Sequence, residues 1–195
     1  MKQQFISTQE DHKIALLAAL AITIHIFESA IPSPLPGIKP GLANVITLFA
    51  FIQYGWQSAL QISLLRVIIS SLLLGTFLSP TFLLSLSGAL LSLFAITLVQ
   101  LPFYLHWPQK VLKLLSLSST PTNQQAYQPS AIGYAIIASI SHMAGQFFMA
   151  WYFFIPHPGL FKLLPILITF AVILGIVSGI ITQFLINQYK QSSDL

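Results

Sequence analysis

Between Ile14 and Ile186 the only charged side chains are Glu28, Lys39, Arg66, Lys110, Lys113 and Lys162, and the residues between them run in long apolar stretches. A water-soluble domain gives about a quarter of its residues to charge, whereas this chain of 195 residues gives 6% and is 55% hydrophobic. Its mean hydropathy is +0.82. So few charges cannot keep a surface wet, so lipid covers most of it. The expected fold class is all-α, an integral membrane bundle of about six transmembrane helices.

Proline, glycine and polar clusters divide the stretches. Residues 14–31 are long enough to cross about 30 Å of hydrocarbon. The run ends at Glu28-Ser29-Ala30-Ile31-Pro32, which lacks the small-x-small pattern of a cleaved signal, so it reads as a retained first span. Pro32, Pro34, Pro36 and Pro40 then force an extended loop. Residues 41–52 are apolar but short: a tilted or partly re-entrant helix, or a span completed by its flanks. Tyr54-Gly55-Trp56 marks an interfacial turn. Further helices are expected over 57–75, 81–104, 130–154 and 162–186. The segment 106–129 is a polar loop whose Val111-Leu112 and Leu114-Leu115 pairs fit a short surface helix. The domain thus spans 14–186, between an N-terminal tail of 1–13 and a C-terminal tail of 187–195.

Basic residues set the expected orientation. With the N-terminus inside, the inner side collects Lys2, Lys13, Lys110, Lys113 and Lys190, and the outer side holds Lys39 and Lys162. The positive-inside rule favours this N-in/C-in arrangement. Omitting the short second helix would reverse everything downstream and move Lys110, Lys113 and Lys190 outside, so the charge bias argues that it crosses.

Arg66 is the most informative residue. Near the middle of a span a charge costs roughly 2.5–3.5 kcal/mol on insertion scales. Arg66 is therefore expected to face the bundle interior and meet an anion, either Glu28 or a ligand. Glu28 follows His25 by three residues on one helix face. Lys39 precedes the start of the second helix, where free amides attract anions, and Asn44 brings a polar amide into that helix. It is either a site residue or an interhelical hydrogen bond. His142 and Gln146, four apart, form a polar stripe on the fifth helix, again either packing or site. Ala15 and Ala19 make a small-xxx-small face on the first helix, suited to close packing within the bundle or to a separate subunit.

Other chemistry is excluded by what the sequence lacks. Cysteine is absent, and of the four acidic residues only Glu28 lies outside the tails. Neither a phosphate-cradling glycine loop nor a zinc pattern occurs, and the carboxylates are too few to hold diphosphate through magnesium. No cofactor, metal or catalytic residue is expected, the chain is not expected to be an enzyme, and the scattered basic residues form no nucleic-acid footprint.

The run Glu28-x3-Pro32-x-Pro34-x-Pro36-Gly37-x-Lys39-x-Gly41-Leu42-Ala43-Asn44 resembles the signature of a bacterial membrane family that carries two names, heptaprenyl diphosphate synthase component I and Gx transporter family. Leu65-Arg66, Gly75-x-Phe77-Leu78-Ser79-Pro80, Ser85-x-x-Gly88 and His142-x3-Gln146 fall where that family has its other recurring patches. The resemblance covers roughly residues 14–186. Pro40 stands where an aliphatic residue is usual, and Met143 where an Asn is expected. The family is similar to the substrate-binding S components of energy-coupling-factor (ECF) transporters, six-helix bundles whose first outer loop caps a ligand pocket.

That likeness implies a multi-pass protein of the bacterial cytoplasmic membrane that binds a small anionic or isoprenoid- or quinone-related compound. Glu28, Lys39, Asn44, Arg66, His142 and Gln146 would meet the ligand. Ala15 and Ala19 would meet a coupling subunit that works with separate ATPases. The family's other name implies an alternative: a non-catalytic membrane partner of a polyprenyl diphosphate synthase, of quinone synthesis, or of a membrane redox assembly.

Overall fold

The computed structural model describes residues 9–30, 42, 44–104 and 129–193. The proline loop with Lys39, the loop residues 105–128, and Lys2 lie outside the described residues, and Lys110 and Lys113 with them. Among the described residues the fold is all-α, with α1 (Gln9–Ser29), α2 (Asn44–Tyr54), α3 (Trp56–Leu73), α4 (Pro80–Tyr104), α5 (Ala131–Met149) and α6 (Leu164–Ser193). A π-helical turn, Ala150–Phe154, ends α5, and a 3-10 turn, Pro158–Leu163, precedes α6.

Among the described residues five helical segments are long and apolar enough to cross a membrane, and α2 is too short. Its 11 residues rise only about 16 Å. Large apolar side chains such as Leu16, Phe27, Leu73, Phe94 and Phe184 point outward on the long helices, as lipid-facing surfaces do. The chain is a multi-pass membrane protein.

Packing places α2 at the centre. Every residue from Asn44 to Phe51 is buried, and α2 touches α1, α3, α5 and α6. Its core neighbours include Ala18 and Ala21 of α1, Ala59 and Ile62 of α3, and Tyr134, Ala135 and Ala138 of α5. A single residue, Gly55, joins α2 to α3. Its φ of 88° and ψ of −179° belong to a region open essentially only to glycine. The two helices pack on each other across this one-residue joint.

Small residues bring α4, α5 and α6 close together. A Cβ on Gly145 would lie 2.7 Å from the Ser87 carbonyl oxygen, and one on Gly88 would lie 2.9 Å from His142. On the other side of α5, Cβ atoms on Gly175 and Gly179 would meet the Cα atoms of Ile136 at 2.8 Å and Ile132 at 2.6 Å. Gly175-x3-Gly179 is thus a small-residue seam of the kind that lets membrane helices approach.

Several boundaries differ from the sequence-based expectation. α1 begins at Gln9 rather than Ile14, since Glu10 and Asp11 are compatible with a helix start. α2 begins at Asn44 and ends at Tyr54, not 41–52. α6 runs to Ser193 instead of ending at Ile186. Past Ile186, Gln183 Nε2 donates to Asn187 Oδ1 at 3.2 Å. The Tyr189 ring packs edge-on against Phe49 and Tyr54, with centroids 5.8 and 6.2 Å away. These contacts hold the last turns in helical form.

Candidate functional site

The interior of the bundle carries polar residues from five helices. On α1, His25 and Glu28 are both buried, and His25 Nδ1 lies 3.9 Å from Glu28 Oε2. Glu28 Oε1 accepts the Leu42 amide hydrogen at 2.6 Å. That bond ties the end of α1 to the residue two before α2, and a charged acceptor makes it one of the stronger kinds.

On α2, Asn44 and Thr47 are buried one turn apart. Neither Asn44 Nδ2 nor Thr47 Oγ1 has a hydrogen-bond partner among the described residues. Arg66 on α3 is 1% exposed. The Glu28 carboxylate acts on it electrostatically, yet its Nε–H finds no acceptor among the described residues. Ser63 and Ser70 are buried on the same helix. The Ser70 hydroxyl donates to the Arg66 carbonyl oxygen.

On α4, Ser85 is buried and its hydroxyl also lacks a partner among the described residues. On α5, Gln146 Nε2 and His142 Nε2 are 2.8 Å apart. The pair forms a side-chain hydrogen bond one turn apart on the same face. Both residues lie against the bare backbone of Gly88, and Ser87 Oγ donates to the Gly145 carbonyl at 3.1 Å.

Three relations bring these groups to one level. First, Asn44 and Arg66 each stand eleven residues from Gly55, so helices folded back on each other at that joint set them at the same level. Second, Glu28 both bonds Leu42 and acts on Arg66, which puts Arg66 near the start of α2 independently. Third, Val67 packs with Phe82 and Ala89. Phe82, Ser85 and Ala89 share a face of α4 by their spacing, so Ser85 lies on the face of α4 that packs against α3 around Val67. Gly88, three residues on, contacts His142 and Gln146.

Of the residues expected from sequence, Glu28, Asn44, Arg66, His142 and Gln146 are all buried in this seam. Lys39 lies outside the described residues. Ala15 and Ala19 are exposed, whereas Ala18 and Ala21 are buried, so the small-xxx-small face of α1 points away from the bundle. Thr47 was missed, although it follows Asn44 by three residues. Ser85 was read only as part of a recurring patch. A groove of about 490 Å³ lies elsewhere, on the outer side of α4 and α5. Leu90, Leu91, Phe94 and Phe148 line it, and hydrocarbon fits such a wall better than a charged ligand does.

The sequence match agrees with this architecture. The family model described as Heptaprenyl diphosphate synthase component I matches residues 17–185, from the first turns of α1 almost to the end of α6. The chain belongs to that family. The matched region contains every member of the polar seam. No curated protein and no solved structure matches the chain.

Proposed function

We propose that this member of the heptaprenyl diphosphate synthase component I family is the substrate-binding subunit of an ECF-like transporter in the bacterial cytoplasmic membrane. It would be oriented N-in/C-in and take up a small anionic or isoprenoid- or quinone-related compound. The observation that carries the reading is the buried seam around Arg66. A membrane bundle held only by packing has no use for Arg66, Glu28, Asn44, His142 and Gln146 in its interior, and intramembrane ionisable groups mark ligand or ion pathways. Transporter sites also commonly sit where a short helix starts inside the protein. Arg66 and Lys39 against Glu28 leave one positive charge, which favours an anionic ligand.

The outward face formed by Ala15 and Ala19 supports a partner helix, such as that of a coupling subunit whose ATPases supply the energy. The chain's own residues offer no carboxylate cluster for ATP hydrolysis or prenyl transfer, so it is not proposed to be an enzyme. The family's description favours one second reading: a non-catalytic membrane partner of polyprenyl diphosphate or quinone synthesis.

Affinity purification from the native membrane separates the two. Recovery with an integral coupling subunit and ATPases is expected. Recovery with a soluble prenyl synthase instead would replace the transport reading. Arg66→Gln should leave the folded protein intact and abolish uptake, and unchanged uptake would remove Arg66 from the site.

A further inference from the structure

The unpartnered groups around Arg66 are not chemically mixed. Arg66 Nε–H and the Asn44 amide nitrogen can only donate, and the Thr47 and Ser85 hydroxyls can turn to donate. Each belongs to a buried side chain, and none has a partner among the described residues. They come from three different helices and meet at the level set by the Gly55 joint. The same level holds the start of α2 and the positive end of its helix dipole, where the Val45 amide already bonds the Leu42 carbonyl oxygen at 3.0 Å. Glu28 acts on Arg66 through its charge, and its Oε1 accepts from Leu42, but it leaves Arg66 Nε–H without a hydrogen bond.

We infer that Arg66, Asn44, Thr47 and Ser85 form a receptor for one oxyanion group, a carboxylate or a phosphate, of the ligand. The inference rests on the reading that the polar seam binds substrate, and it names the part of the substrate that is recognised there. Four donors around one position match a group that offers only acceptors. A neutral amide or alcohol can also accept from these donors, but it brings no negative charge to the buried Arg66 guanidinium. Arg66 supplies the charge-assisted bond, and Asn44 and the two hydroxyls fix the orientation of the oxygens. Thr47 and Ser85 enter the binding set on this geometry alone.

The chain has a single arginine, so protein labelled with ¹⁵N-arginine gives one Nε–H resonance, that of Arg66. Purified full-length protein in detergent micelles is titrated with inorganic phosphate, with hexanoate, and with neutral hexanamide. The expected result is a saturable shift of the Arg66 signal with phosphate or hexanoate and none with hexanamide. Whichever anion saturates at lower concentration identifies the class. Ser85→Ala and Thr47→Val change little volume and keep the reporter. Each should weaken the effective anion about tenfold, as loss of a hydrogen bond to a charged group does. A signal that no oxyanion moves, that hexanamide moves equally, or that both variants leave with wild-type affinity overturns the inference. The titration needs no partner, so saturable oxyanion binding by a protein that never co-purifies with ATPases would reject the transport reading and leave the receptor standing.

Discussion

Glu28 meets groups of different kinds, among them the Leu42 amide and the charge of Arg66. Glu28→Gln keeps an oxygen for the amide and removes only the charge. Glu28→Leu removes both, leaving the part-buried Leu42 donor and the buried Arg66 charge without this acceptor, at a cost of about 1–3 kcal/mol. Leu is therefore expected to lower the unfolding midpoint in a detergent or denaturant titration clearly more than Gln does. Equal losses would mean that the Leu42 bond contributes little. The large polar members of the seam were legible in the sequence because Arg66, Glu28, Asn44, His142 and Gln146 interrupt apolar stretches. Thr47 and Ser85 were not, for a physical reason. Hydroxyls in membrane helices usually bond their own backbone four residues back, as Thr23, Thr97, Thr169 and Thr182 do here. Thr47 and Ser85 depart from that habit, and local sequence does not mark the difference.

Among the elements, the joint between α2 and α3 and the glycine crossings of α5 make the sharpest predictions. Gly55 has no atom within 4 Å of an added Cβ, so Gly55→Ala tests backbone conformation without a clash. It should destabilise the protein by roughly 1–3 kcal/mol, the usual cost of a strained backbone region, read from thermal unfolding in micelles. Gly179→Leu acts differently, because its Cβ would stand 2.6 Å from the Ile132 backbone. Separation of α5 from α6 should follow, with a loss of about 1–3 kcal/mol or more from overpacking. A midpoint unchanged by Gly179→Leu would contradict the close crossing.

Helix boundaries followed the same division. Pro80 opens α4 and Ser130 caps α5 by accepting the Gly133 amide hydrogen at 3.2 Å, and both signals stand plainly in the sequence. The extension of α6 to Ser193 depends on Tyr189 meeting Phe49 and Tyr54 from a distant helix. Local pattern carries no trace of that contact.

For the whole molecule, the proposed orientation is directly measurable because the chain contains no cysteine. Lys162→Cys should react with a membrane-impermeant maleimide on intact cells, and Lys190→Cys only after the membrane is opened. The reverse pattern would overturn N-in/C-in, and labelling of both from one side would mean that α6 does not cross. Six crossings require α2 to count as one, even though it is too short to span unaided.

That shortness has a consequence for how the protein is made. A segment is admitted to the bilayer one by one when its own hydrophobic length suffices, and α2 falls below that length. With one glycine between them, α2 and α3 are spaced too closely to be handled separately, so they enter as a hairpin. The buried arginine then travels into the membrane together with Asn44, its neighbour across the turn, and a lesion at Gly55 would show itself during synthesis as failed insertion before any ligand is encountered.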